Sequence, residues 1–149
     1  MKQIIIIHYA EIALKGENRR NFEKKLVENI KQALKNLEYE KIERLNGRIL
    51  ITLNYENKPE DFKGALNHIF GISHFSFGWE VNADLEKIKI TLAKKMTEEI
   101  IRRLAEKKEI KPFRITAHRA EKNFPLTSDE INYKVGEYIF EKSGDKLFH

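Results

Sequence analysis

Asn46-Gly47 separates two stretches that each read as a strand, Tyr39–Leu45 and Arg48–Tyr55. Both central positions of a two-residue hairpin turn need positive φ, and Asn-Gly supplies it at little steric cost. The pair therefore predicts two adjacent antiparallel strands, and the rest of the fold has to accommodate them. Upstream, the unbroken aliphatic run Ile4–Ile7 suits a buried strand over residues 3–8. Residues 18–37 follow as an amphipathic helix, with Phe22, Leu26, Ile30, Leu34 and Leu37 on one stripe. Downstream, Pro59 opens a second helix, with Glu60 and Asp61 in its first turn. Phe62, Leu66, Ile69 and Phe70 form its apolar face, and Gly71 is its expected C-cap. Phe75, Phe77, Trp79 and Val81 then alternate as a strand with one buried face.

The order is β-α-β-β-α-β. A four-stranded antiparallel sheet carrying two helices on one face satisfies it, which is the ferredoxin-like plan of an α+β domain. Such a sheet could also use Phe75, Phe77 and Trp79 to stack RNA bases. Arg48–Leu53 contains no basic Gly-aromatic motif of the kind those sheets carry, so the three aromatics are assigned to the core.

Residues 1–82 are expected to form this first domain and residues 83–149 a second. Asp84 is a good N-cap for a long helix through Leu85, Ile88, Leu92, Met96, Ile100 and Leu104. Lys107 and Lys108 stand where cations favour a helix C-terminus. Pro112 opens a strand with Phe113, Ile115 and Ala117 on one face and Arg114, Thr116 and His118 on the other. Thr127 and Glu130 make a capping box, and Leu126 with Ile131 the matching hydrophobic staple, for a last helix that runs to about Lys142. A lone strand leaves its own backbone groups unpaired, so this second α/β unit is expected to be incomplete.

Composition removes several classes of function. There are no cysteines, hence no disulfide framework, thiolate metal site or thiol nucleophile. No adjacent glycines, no G-x-x-x-x-G-K and no G-x-G-x-x-G occur, so no Gly-rich nucleotide loop is visible. His8, His68, His74, His118 and His149 include no i, i+4 pair and read as scattered structural or surface groups, with no metal expected. No apolar run approaches a membrane span, and cytoplasm is the default compartment. The net charge of +5 is compatible with a polyanionic partner.

Two stretches suit such a partner. Arg119, Lys122, Asn123, Phe124 and Pro125 lead into the helix start at Thr127-Ser128, where free N–H groups and the helix dipole favour a phosphate. One reading is phosphate contact by Arg119 and Lys122, hydrogen bonding by Asn123 and stacking by Phe124; the other is a solvated loop with Phe124 folded onto the core. The second stretch holds Lys15, Asn18, Arg19, Arg20 and Asn21 around the first turn of the first helix. It suits backbone phosphates, or is an ordinary exposed turn partly neutralised by Glu17 and Glu23.

His8-Tyr9-Ala10-Glu11-Ile12-Ala13-Leu14-Lys15-Gly16 with Asn18-Arg19-Arg20 and Phe22-Glu23 resembles the N-terminal signature of the ThiI-type tRNA sulfurtransferases, the 4-thiouridine synthetases. Ile115–Asn132 resembles the hallmark of the THUMP domain in the same family. The resemblance implies a ferredoxin-like domain followed by a THUMP domain that together bind tRNA at the acceptor stem and 3′-CCA end. It assigns the 3′-end grip to Arg119, Lys122, Asn123, Phe124, Pro125, Thr127 and Ser128, and acceptor-stem phosphates to Lys15, Asn18, Arg19, Arg20 and Asn21. Uridine 8 would then be thiolated by a separate ATP-pyrophosphatase domain, in a family also linked to sulfur supply for thiamine.

The family's S-G-G-x-D-S loop is absent from this sequence, as is any cysteine. The strands that finish a THUMP sheet are not found after Gly144. The expectation is a tRNA-binding portion with no catalytic residue and no cofactor of its own, ATP belonging to the catalytic domain. The alternative is a non-catalytic subunit or a dimerising scaffold, a homodimer through the unfinished sheet, that needs a partner chain for thiolation.

Overall fold

The computed structural model describes residues 1–10, 16–45, 47–110, 112, 114–119 and 122–143. The chain divides into two compact units, Met1–Glu80 and Val81–His149.

In the first unit β1 (Lys2–Tyr9), α1 (Glu17–Ala33), β2 (Lys41–Leu45), β3 (Arg48–Thr52), α2 (Pro59–Leu66) and β4 (Ile72–Glu80) follow in that order. The strands form one antiparallel sheet, β2-β3-β1-β4, which is the expected ferredoxin-like arrangement. The aliphatic run lies in β1, which like β3 has a neighbour on both sides. The hairpin is as tight as its turn residues imply: Leu45 stands opposite Arg48 and Gly47 takes φ 75. Asn46 itself lies outside the described residues.

Ile5, Ile7, Ile49 and Ile51 share one sheet face, and that face holds the core. Leu26, Ile30 and Leu34 of α1 and its C-terminal turn, with Phe62 and Leu66 of α2, are buried against it. The α1 stripe is the predicted one, with Phe22 and Leu37 at its half-buried margins.

Two expectations about the end of α2 fail together. The helix stops at Leu66 with Asn67 as its C-cap, so Gly71 is not the cap. Phe70, counted with the apolar face, lies beyond the last turn and is 93% exposed. Gly71 instead turns the chain into β4 at φ 99, and a Cβ there would stand 3.0 Å from Cζ of Phe22. Gly71→Ala should therefore destabilise the unit by on the order of 1–2 kcal/mol, read as a lower urea midpoint. Gly64→Ala, inside α2 with open space about it, should instead raise stability by about 0.5–1 kcal/mol.

A third expectation holds only in part. Phe75 packs on the core, but Phe77 and Trp79 are exposed to 36% and 42%. Their face is the predicted one, since Phe77 stands opposite Ile5 and Trp79 opposite Gln3. What fails is the cover: β4 is an edge strand with a neighbour on one side only.

The second unit contains α3 (Leu85–Ala105) and α4 (Ser128–Ser143). Asp84 caps α3 as expected, accepting the Lys87 N–H at 3.1 Å. Beyond its end Lys107 adopts φ 55, and Lys108 N–H donates back to the Arg103 carbonyl at 2.8 Å. That closure normally uses glycine at the left-handed position. Near this end Glu99 accepts from Arg102 and Arg103, which hold its carboxyl down at about 2. Val135 and Ile139 of α4 are buried, while the ammonium groups of Lys89 and Lys142 lie 5.1 and 5.6 Å from the Tyr138 ring centroid.

Among the described residues of the strand expected over 112–118, no strand is formed. Residues 112 and 114–118 carry no ladder, because no described strand of the unit stands beside them. The alternation nonetheless survives, with Ile115 and Ala117 half-buried and Arg114, Thr116 and His118 exposed. One backbone donor finds a side chain instead: Ala117 N–H donates to Asn132 Oδ1 of α4 at 2.6 Å. Phe113 lies outside the described residues.

Candidate nucleic-acid interface

The loop before α4 is organised around one guanidinium. Arg119 Nη1 donates to the carbonyls of Lys122, Phe124 and Leu126, at 3.3, 3.3 and 3.0 Å. One nitrogen has two hydrogens, so three acceptors share them and the Leu126 contact is the tightest. The carbonyls of three alternate residues are thereby drawn to a single point. Arg119 Nε is buried with no hydrogen-bond partner among the described residues.

With those carbonyls turned inward, Lys122, Asn123 and Pro125 are exposed, and Phe124 is half-buried. Sequence reading made Arg119 and Lys122 equivalent cations. The structure separates them: Arg119 holds the loop from beneath, and Lys122 stands out in solvent. Ala120 and Glu121 lie outside the described residues.

The capping box forms reciprocally. Thr127 N–H donates to Glu130 Oε2 at 3.0 Å, and Glu130 N–H donates to Thr127 Oγ1 at 3.2 Å. Leu126 and Ile131, the expected staple, are both half-buried. The box occupies the Thr127 and Glu130 donors. The first turn of a helix leaves further N–H groups without intrahelical acceptors. A fixed loop, an exposed ammonium, an exposed amide and the first-turn N–H groups at a positive helix end can together hold an oxyanion.

In the first unit, Asn18, Arg19, Arg20 and Asn21 are all exposed on the first turns of α1. Gly16 is the N-cap, at φ 57, and no side chain caps the helix. Of the two carboxylates expected to neutralise this turn, Glu23 is engaged elsewhere. It accepts from the Tyr9 hydroxyl at 2.5 Å and lies 3.7 Å from an Arg44 nitrogen. Glu17 remains in the first turn. Lys15 lies outside the described residues, as do positions 11–14 of the N-terminal signature.

Two features escaped sequence reading. Asn132, which ties the extended segment to α4, gave no signal beyond lying in the motif. His8 and His74, read as scattered, are brought together by strand register, with ring centroids 4.4 Å apart and planes 12° from parallel. Among the described residues no group of three or more metal-ligating side chains occurs, and no helix is long and apolar enough to cross a membrane.

The class defined by this architecture is a ferredoxin-like domain followed by a loop-bearing helical unit, and known proteins share it. Residues 4–76 match the ThiI ferredoxin-like domain and residues 82–147 the THUMP domain. The chain belongs to the ThiI-type family through these two domains. It is 39% identical over 150 residues to a probable tRNA sulfurtransferase of Thermococcus kodakarensis, covering 99% of this chain and 38% of that protein. It is 39% identical over 142 residues to a probable tRNA sulfurtransferase of Acetivibrio thermocellus, covering 93% and 34%.

Among solved structures, the crystal structure of PH1313 from Pyrococcus horikoshii superposes with a TM-score of 0.78 at 38% identity, covering 95% of this chain and 45% of that one. A 4-thiouridine synthetase crystallised with RNA and bound ATP gives a TM-score of 0.77 at 31% identity, covering all of this chain and 35% of that one. The chain thus spans a little over a third of the length of the curated relatives it matches.

Proposed function

We propose that this chain is the tRNA-binding portion of a 4-thiouridine synthetase-type protein. The Arg119-closed loop grips the 3′-CCA end through Lys122, Asn123, Phe124, Pro125 and the helix start at Thr127 and Ser128. Asn18, Arg19, Arg20 and Asn21, with Lys15, contact acceptor-stem phosphates. Uridine 8 is then presented to a separate ATP-pyrophosphatase domain. With no cysteine and no Gly-rich nucleotide loop in its sequence, this chain supplies the grip and the other domain the sulfur chemistry.

The observation that carries the reading is the fixed loop, which exposes Lys122 and Asn123 just before the N-terminus of α4. A likeness of 31% identity to a synthetase crystallised with RNA supports the same direction. Its test is a comparison of tRNA with and without the terminal CCA. Lys122→Ala with Asn123→Ala should weaken binding to intact tRNA about tenfold and lower the salt slope by about 0.7–0.9. On tRNA lacking CCA the same variant should bind like the parent chain. An equal loss on both RNAs would move the loop away from the 3′ end.

A further inference from the structure

The face of the first-unit sheet that does not carry the core has a row of cation-capable side chains running straight across three strands. In the ladder His8 of β1 stands directly opposite Arg48 of β3 on one side and directly opposite His74 of β4 on the other. Directly opposed residues point to the same face, and neighbouring strands lie about 4.8 Å apart. The row is thus Arg48, His8, His74, with Leu45 of β2 beyond Arg48. The two imidazoles are stacked, centroid to centroid at 4.4 Å. His74 is exposed, with its Nδ1 3.3 Å from the Ser73 hydroxyl; His8 and Arg48 are half-buried.

Like-charged groups placed directly opposite one another are unfavourable unless something of the other sign lies among them. Among the described residues no carboxylate pairs with Arg48, His8 or His74. The carboxylates that the four strands place on this face are committed or remote. Glu43 of β2 pairs with Lys41 at 3.1 Å, and Glu80 sits at the opposite end of β4, across from Lys2. Burial first, then the neighbouring His74 and Arg48, hold His8 below its ordinary value of 6.5.

We infer that the Arg48–His8–His74 row is a phosphate-binding site. The guanidinium supplies a permanent charge with a planar donor fork, and the imidazoles supply ring N–H donors whose protonation a bound dianion favours. An inorganic phosphate and a backbone phosphodiester present the same oxyanion to this row. The site stands on unit-one geometry alone, so it holds whether or not the loop before α4 grips tRNA.

The test follows the ring protons of His8 and His74 by NMR in the whole chain, titrated through pH with no anion, with inorganic phosphate, and with a short RNA duplex lacking any CCA end. The expected result is an upward move of both ring midpoints by about one pH unit on binding. A move with phosphate and not with duplex assigns the site to a free anion; a move with duplex assigns it to a backbone phosphodiester. Arg48→Gln, on a half-exposed position of a stable sheet, should abolish the move while leaving the His8–His74 ring stack intact. Unmoved midpoints with both probes would overturn the inference, and so would a move that survives Arg48→Gln. Neither failure touches the CCA-dependence that tests the loop.

Discussion

Arg119→Ala is expected to release the loop before α4 and to lower tRNA affinity by tenfold or more, although the side chain removed is not the one most open to solvent. The guanidinium is the shared donor for three carbonyls, two of its three bonds being partly buried. Withdrawing it leaves those acceptors unpaired, at about 1–3 kcal/mol for such a group. The loop then loses the geometry that exposes Lys122 and Asn123. Arg119→Lys should rescue little, since an ammonium keeps the charge without the planar fork that spans several acceptors. The readout has two parts: tRNA affinity, and the backbone amide shifts of residues 122–124 and 126–128. Altered amide shifts with alanine and lysine alike would mark Arg119 as the residue that shapes the loop. Lost affinity with unmoved amide shifts would instead make it a direct phosphate ligand.

Phe62→Ala should unfold the first unit or bring it close to unfolding. Phe62 is 1% exposed and is the largest of the fully buried side chains, set where α2 meets the sheet. Truncating a buried phenylalanine costs about 3–5 kcal/mol, against a total stability of about 5–15 kcal/mol for a typical domain. The α1 surface bearing Asn18–Asn21 rests on that core, so under the proposed function this change removes acceptor-stem contacts without touching one of them. Urea unfolding monitored at β1 and β3 amides measures it. A midpoint within experimental error of the parent would contradict the packing described.

What the sequence revealed, and what it hid, divides along physical lines. Features set by local chemistry were legible: the hairpin from Asn46-Gly47, the α1 stripe from its 3.6-residue period, and the caps at Asp84 and Thr127. Their causes lie within a few residues of one another. Features set by distant neighbours were not. The exposure of Phe77 and Trp79 follows from the edge position of β4, and the missing ladder at residues 112 and 114–118 depends on whether a strand stands beside them. Alternation separated the half-buried Ile115 and Ala117 from the exposed Arg114, Thr116 and His118 while saying nothing about hydrogen bonds.

The same division holds at the candidate site. The loop's composition marked it, and Thr127 with Glu130 predicted how the helix behind it begins. The unequal roles of Arg119 and Lys122 were hidden, because residue type reports charge and not the direction in which it points. The stacked His8–His74 pair was hidden for a further reason. No periodicity links positions so far apart in the chain; only the β1–β4 register does.

If the two domains grip tRNA as proposed, equilibrium binding of this 149-residue chain to tRNA across a series of salt concentrations will show it. The expected result is saturable binding whose logarithmic affinity falls linearly with the logarithm of salt, with a slope of several units from the phosphates contacted, and that weakens when the terminal CCA is removed. Binding that is absent at low salt, or that is equally strong for a CCA-less RNA of the same length, would contradict it.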